Sequence, residues 1–370
     1  MQSIVSTMSN VFKVFRDVLV VAVIVTATML AMVVPASTIQ AQGQTCLVGF
    51  TATDCEILQA ARNDMSMRTS FDLAYDMSLT LGGLRGSSIS LGLKGSGPVD
   101  LGRKPISDVS SLFDNLTMSS KSAVTISAGK RSQTSPFELR IVDGTAYVKI
   151  LRDSDPSAGS ANNQWFKLAV AKILTRYSVK ADLSNIALLV RPGDFSLSVV
   201  GGVAGATHGE RNDGPTLDNK STMQYSVTFD LGEAYARLTT DAERQAFLQS
   251  FVDSFLASAS IGAGPGYHSD LASNPELKMA AERVVQSTHM TVSWIVEPKA
   301  KILRGFGLTI STKIDAMIGD MINPVFNTGI TAVDIKATFT ISHPGRSVTV
   351  QAPPKALDVS DYLNPNRNAA

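Results

Sequence analysis

The stretch FDLAYDMSLTL, Phe71 to Leu81, decides the fold class. Phe71, Leu73, Tyr75, Met77, Leu79 and Leu81 alternate with Asp72, Ala74, Asp76, Ser78 and Thr80. Successive side chains of a strand leave on opposite sides, so this spacing puts every large apolar group on one face. Gly82, Gly83 and Gly86 supply a turn, and Ile89, Leu91 and Leu93 resume the alternation in an antiparallel partner.

The same grammar recurs outward from this pair. Val124 to Ile126 and Phe137, Leu139 and Ile141 read as strands, and Asp143-Gly144 before Ala146, Val148 and Ile150 is a strong short-range hairpin signal. Later strands are expected at Ser196–Val200, Met223–Leu231, Thr288–Val296, Ile302–Ile314, Val333–Ile341 and Ser347–Gln351. Helices interrupt them. The spacing of Ile57, Leu58, Ala61 and Met65 predicts one over Cys55–Arg68, with Thr53 or Asp54 as its cap. Thr240 and Glu243 form a capping box before Phe247, Phe251 and Phe255, which are spaced four apart on one stripe. A further helix starts at Pro275 with Asn274 as its cap, and another is expected over Phe166–Tyr177. Ala204–Lys220 and Ser258–Ser273 read as polar loops.

The N-terminus points to export. Lys13 and Arg16 precede an unbroken apolar run from Val18 to Val34, followed by Pro35 and a small, polar stretch ending at Ala41. Residues 1–41 therefore read as a signal peptide that leaves Gln42 as the mature N-terminus, with an uncleaved signal anchor as the alternative. Cys46 and Cys55 are the two cysteines, and an oxidising compartment would pair them. The loop they close is short, so its entropy is worth about 2–3 kcal/mol, enough to pin a terminus but not to hold a domain. Residues 42–68 are then a disulfide-pinned segment with a short helix, 69–357 a single domain, and 358–370 a loosely ordered tail.

The order of these features resembles the LppX/LprG-type exported lipid-binding proteins and, more distantly, the lipoprotein carriers LolA and LolB. The features are an alternating strand pair, the Val142–Tyr147 hairpin turn, the Trp-Phe-Lys-Leu of Trp165 to Leu168, and a closing Val-Gln-Ala-Pro-Pro from Val350 to Pro354. The resemblance covers roughly Phe71 to Leu357. It implies an α+β fold, a strongly curved antiparallel sheet or half-barrel with helices over the concave face and an apolar cavity between the layers. Gly43, Gln44 and Thr45 before Cys46 do not make a lipobox, so a shuttle tethered by lipid is not expected.

Several chemistries are disfavoured by the residues. A formal net charge of +1 offers no field for steering toward nucleic acid. His208, His268, His289 and His343 stand singly, without cysteines at metal-ligand spacing, so no metal or other cofactor is expected. The glycine clusters lack the phosphate-binding pattern, and no G-x-S-x-G elbow occurs. Asp72 and Asp76 share the solvent-directed side of their strand.

The expectation is a non-catalytic carrier or binding protein for a lipid or other amphiphile in the cell envelope, with possible membrane contact through the N-terminal segment. Phe247, Phe251, Phe255, Trp165, Trp294, Met317 and Met321 are the candidate cavity residues. The aromatic stripe has an ordinary alternative as helix-to-sheet packing, and the Met-rich segment has one as gap-filling. The competing class is a structural or interaction protein of the cell surface with a solid core. An exported hydrolase is a third and weaker alternative.

Overall fold

The protein is described from a computed structural model, in residues 49–65, 68–83, 88–102, 113–151, 164–170, 172, 207–249, 275–314 and 330–359. Its strands are β1 (Ser70–Gly83), β2 (Ser88–Asp100), β3 (Thr117–Ala128), β4 (Arg131–Val142), β5 (Thr145–Ile150) and β6 (Trp165–Ala169). They continue with β7 (Thr207–Asp213), β8 (Met223–Asp230), β9 (His289–Glu297), β10 (Ile302–Lys313), β11 (Ile330–Ser342) and β12 (Leu357–Asp358). All join one 12-stranded sheet in the order β12-β6-β5-β4-β3-β2-β1-β11-β10-β9-β8-β7. Every pairing is antiparallel except the short β12–β6 one. The edges, β7 and β12, do not meet, so the sheet is open.

Two meanders meet at one seam. The first runs from β1 outward to β6; the second starts at the opposite edge with β7 and works inward until β11 pairs with β1. The register from Asp72↔Ser342 to Gly82↔Ala332 therefore joins segments far apart in sequence.

One face is apolar. Phe137, Ser122, Gly95, Tyr75, Phe339, Phe306, Trp294 and Tyr225 are successive cross-strand partners from β4 to β8. Gly95 is small for a reason: a Cβ there would sit 2.6 Å from both the Tyr75 hydroxyl and Ser122 Oγ. The Tyr75 hydroxyl lies 2.6 Å from Ser122 Oγ and donates to Ser120 Oγ at 3.3 Å, which satisfies a polar group inside an apolar layer. The other face carries cross-strand hydroxyl pairs, Thr80–Ser90, Thr125–Thr134, Ser127–Ser132 and Thr228–Thr291, at 2.9–3.2 Å. It also carries the Lys94–Asp76 ion pair at 3.3 Å. Such a sheet has one wet side and one that needs cover.

Two packed clusters cover parts of the apolar face. The larger holds Phe71, Leu73, Phe339, Ile341, Phe306, Trp294 and Tyr225 together with Leu58 and Ala61 of α1 (Ala52–Met65). That helix is capped by a reciprocal pair. Asp54 N–H donates to Thr51 Oγ1 at 3.2 Å, and Thr51 N–H donates to Asp54 Oδ2 at 3.0 Å. Asp54 is 2 % exposed and also accepts from Arg211 of β7 at 3.0 Å, which ties α1 to the sheet edge. Burial opposes ionisation of this carboxyl, but the Thr51 and Arg211 hydrogen bonds outweigh it and hold it below the usual carboxylate range.

The smaller cluster lies at the other end of the strands. It gathers Leu231 and Tyr235 of α2 (Leu231–Ala236), Phe247 and Leu248 of α3 (residues 241–249), and Ala281, Val284 and Val285 of α4 (Pro275–Gln286). These pack with Ile314 and Ile330. The predicted capping box is present: Glu243 N–H donates to Thr240 Oγ1 at 3.2 Å and Thr240 N–H to Glu243 Oε2 at 3.0 Å. Asn274 lies outside the described residues.

Four expectations need correction. The first helix, expected over Cys55–Arg68 with Thr53 or Asp54 as its cap, spans Ala52–Met65 instead, because the Thr51 hydroxyl accepts the Asp54 N–H and caps it ahead of both. The helix expected from Phe166 begins instead as β6, because Trp165 to Ala169 pair with β5 from Lys149 to Thr145. A short apolar run fits either element, and the open edge of β5 decides it. The polar loop expected at Ala204–Lys220 contains β7, whose charged residues suit an edge strand. Ser347–Gln351 joins no ladder; the Arg140 guanidinium donates to the Gln351 carbonyl at 3.1 Å, and the chain then reaches β6 through Leu357. The strand expected at Ser196–Val200 and the loop at Ser258–Ser273 lie outside the described residues.

Candidate functional site

Between the two clusters the apolar face carries one more row. Ile126, Leu91, Leu79, Ile335, Ile310 and Met290 are successive cross-strand partners on β3, β2, β1, β11, β10 and β9. Each occupies an inward position of the period-2 pattern, so register alone lines them up. At about 4.8 Å per strand the row is about 24 Å long.

Its residues are incompletely covered. Leu91, Leu79, Ile335, Ile310 and Met290 are half-buried, and Ile126 is 39 % exposed. On one side the larger cluster takes in buried Val292, Ala337 and Leu93, and half-buried Met77 and Leu308 pack against it together with Leu91 and Met290 of the row itself. On the other, half-buried Leu81 and Val333 pack against the smaller cluster. The row is thus the half-buried middle of the apolar face, with Leu79, Ile335 and Ile310 between the two clusters and Leu91 and Met290 on the margin of the larger one. Its two ends differ: β8 supplies Phe229, which pairs with Met290 and is 3 % exposed, whereas Ile126 at β3 is open.

The predicted site residues are not brought together. Trp294 is fully buried in the larger cluster, beside Phe306 and Tyr225. Trp165 is the partner of Lys149 and stands on the polar face, with the Arg140 guanidinium 4.7 Å and the Lys149 ammonium 5.7 Å from its ring centre. Phe247 packs against Tyr235 in the smaller cluster, ring centres 6.0 Å apart. Phe251, Phe255, Met317 and Met321 lie outside the described residues. So does Cys46, which leaves its pairing with Cys55 on α1 an expectation. The strip's aliphatic residues were visible in the sequence only as inward strand positions; nothing local marked them as partly open.

Polar groups were also placed. His343 Nδ1 lies 3.0 Å from Asp72 Oδ2, which also accepts from Arg346 at 2.9 Å. His289 pairs with Asp230 at 3.3 Å and His208 with Glu210 at 3.8 Å. These three contacts lie apart from one another, and among the described residues no cluster of three or more ligating side chains could hold a metal. Tyr235 donates to Glu282 Oε1 at 2.8 Å; burial first, and then this carboxylate, push its hydroxyl up to about 12, out of the range of proton transfer at neutral pH. Among the described residues no helix is long and apolar enough to cross a membrane.

No protein family and no curated protein matches the sequence. Solved structures similar to parts of the chain include lipovitellin, studied for its lipid–protein interactions, at 8% identity and a TM-score of 0.30 over 78% of this chain. The chain spans about a quarter of that protein, 26% of its length. A LolA-superfamily protein from Nitrosomonas europaea aligns over 81% of this chain and 96% of its own, at 9% identity and a TM-score of 0.16. A β-barrel-like protein of a domain of unknown function from Brucella abortus aligns over 75% of this chain and 99% of its own, at 8% identity and a TM-score of 0.16. At these scores the likeness carries no argument.

Proposed function

We propose that this protein is a non-catalytic carrier or binding protein for a lipid or other amphiphile, whose apolar chain lies along the Ile126–Met290 row. The observation that supports it is the row itself: six aligned aliphatic and thioether side chains, none fully buried, of which Leu91 and Met290 border the larger cluster and Ile126 is open. Leaving such a strip wet forfeits the transfer free energy that the rest of the face collects, about 25 cal/mol per Å² of apolar surface. An acyl chain restores it at about 0.8 kcal/mol per buried CH₂, with no catalytic group required. The finer reading is a curved half-barrel whose concave face presents this strip.

A fluorescent single-chain fatty acid should bind the purified chain, and Leu79→Asn, which places an amide in the middle of the row, should weaken binding at least about tenfold with little change in thermal stability. A wild-type chain that binds no amphiphile would remove this function and favour a surface interaction protein with a solid core.

Export is part of the same proposal. Secreted material should begin near Gln42 by intact mass and show no free thiol when unfolded without reductant. Full-length mass confined to the membrane fraction would establish the signal anchor instead.

A further inference from the structure

We infer that the amphiphile carries an anionic head group, which sits at the β3–β4 hairpin beside Lys130 and Arg131. This rests on the proposed role of the row and adds the chemistry at its open end. The row is closed at β8 by buried Phe229 and emerges at Ile126, so the end of the tail belongs inside and the polar end outside. A charged head resists desolvation, which fixes that polarity independently.

Beyond Ile126 the same face of the hairpin continues as Gln133, the cross-strand partner of Ile126, and Arg131, the partner of Ala128. Lys130 occupies the turn beside Gly129, whose φ of +57° gives the tight reversal. Residues 128–135 are all exposed, so the two cations are free to meet a ligand. From Ser122 to Phe137 the chain has no acidic residue to neutralise them. The next one, Glu138, stands on the opposite face, partnered with Lys149 at 3.7 Å. An open apolar end that meets Arg131 on the same face, with Lys130 beside it in the turn, is complementary to a tail with a carboxylate or phosphate at its end.

The test uses the full chain and probes that share one saturated tail: the carboxylate, the phosphate monoester, the uncharged alcohol and a quaternary ammonium. The anionic probes, kept monomeric, should bind about tenfold tighter than the alcohol at low salt, and the difference should shrink as salt rises. Lys130→Gln with Arg131→Gln should bring acid and alcohol together while leaving alcohol binding unchanged. Equal affinity for acid and alcohol in the unaltered chain, or a preference that survives the double substitution, would overturn the head-group inference and leave the tail site standing. A preference seen only with anionic vesicles would also overturn it, because the hairpin would then read a bilayer surface. Failure of every probe would take down the tail site and the inference together.

Discussion

Replacing Trp294 by alanine is expected to lower the unfolding free energy by about 3–5 kcal/mol, read as a shift of the urea midpoint at unchanged slope. Trp294 is fully buried, and its cross-strand partners are Phe306 and Tyr225. Phe306 stacks on Phe339 with ring centres 4.4 Å apart, and Phe50 meets Tyr225 edge-on at 5.8 Å. This aromatic layer holds β8 to β11 together and seats α1, so a void here cannot be filled by a small local shift. Leu79→Ala in the half-buried row should cost much less, about 1 kcal/mol, because fewer protein contacts disappear with it. Equal losses at the two positions would mean that the row belongs to a solid core, and the carrier reading would fall.

The contrast between these positions shows what the sequence displays and what it hides. The period-2 alternation from Phe71 to Leu81 identifies β1, and both the paired face and the wet face follow from it. The capping box at Thr240 and Glu243 was equally legible, since its bonds form without help from the rest of the fold, whereas α1 is capped by Thr51 and not by Thr53 or Asp54. Where an element depends on its neighbour, local pattern was not enough. Thr-His-Gly-Glu-Arg-Asn-Asp carries no strand signal, yet it forms β7 because β8 offers a free edge. The segment 347–351 shows the opposite failure: Val348 and Val350 are half-buried beside exposed neighbours, but that alternation reports which side is covered, not whether the backbone is paired.

The candidate site was hidden for a related reason. Leu79 and Leu73 occupy equivalent positions in β1, and only the placement of α1 and of the α2–α4 cluster decides that Leu73 is buried while Leu79 is half-open. That placement depends on β11 returning to pair with β1, a contact between distant segments that no window of sequence contains. Sequence reasoning went to the large aromatic groups instead. Of those described, Trp294 and Phe247 are packed solid and Trp165 stands on the polar face. Big rings fill cores well, so their conspicuousness is a poor guide to an open groove.

The second large effect is expected at Arg304. The pairings Leu303↔Val296 and Gly305↔Ile295 leave Arg304 as the extra residue of a β-bulge, which turns its side chain into a site where it is 4 % exposed. Its guanidinium donates to Asp218 in the β7–β8 loop and lies 4.0 Å from Glu297, while its buried Nε has no partner. Asp218 also accepts the His343 backbone N–H at 3.1 Å, so one carboxylate links three parts of the chain. Burial opposes its ionisation, but the His343 N–H and Arg304 outweigh burial and hold it below its usual value of 3.8. A depressed carboxylate contributes its stabilisation above the unfolded-state value and loses it as pH falls through the folded one, so this link weakens only in acid. Removing one partner of a buried pair costs about 3–5 kcal/mol where the other charge is left uncompensated. Without Asp218 the guanidinium keeps only the longer Glu297 contact, which places the cost at the lower end of that range. Asp218→Asn should therefore be strongly destabilising at neutral pH, with a flattened acid limb in its stability curve. Arg304→Met removes the buried charge and its unpartnered Nε together and leaves Asp218 able to rehydrate, so it should cost less. Urea unfolding of both variants at pH 7 and pH 3 tests this order. A larger loss for Arg304→Met than for Asp218→Asn would show that the guanidinium is a net stabiliser of the bulge and that the desolvation argument is wrong.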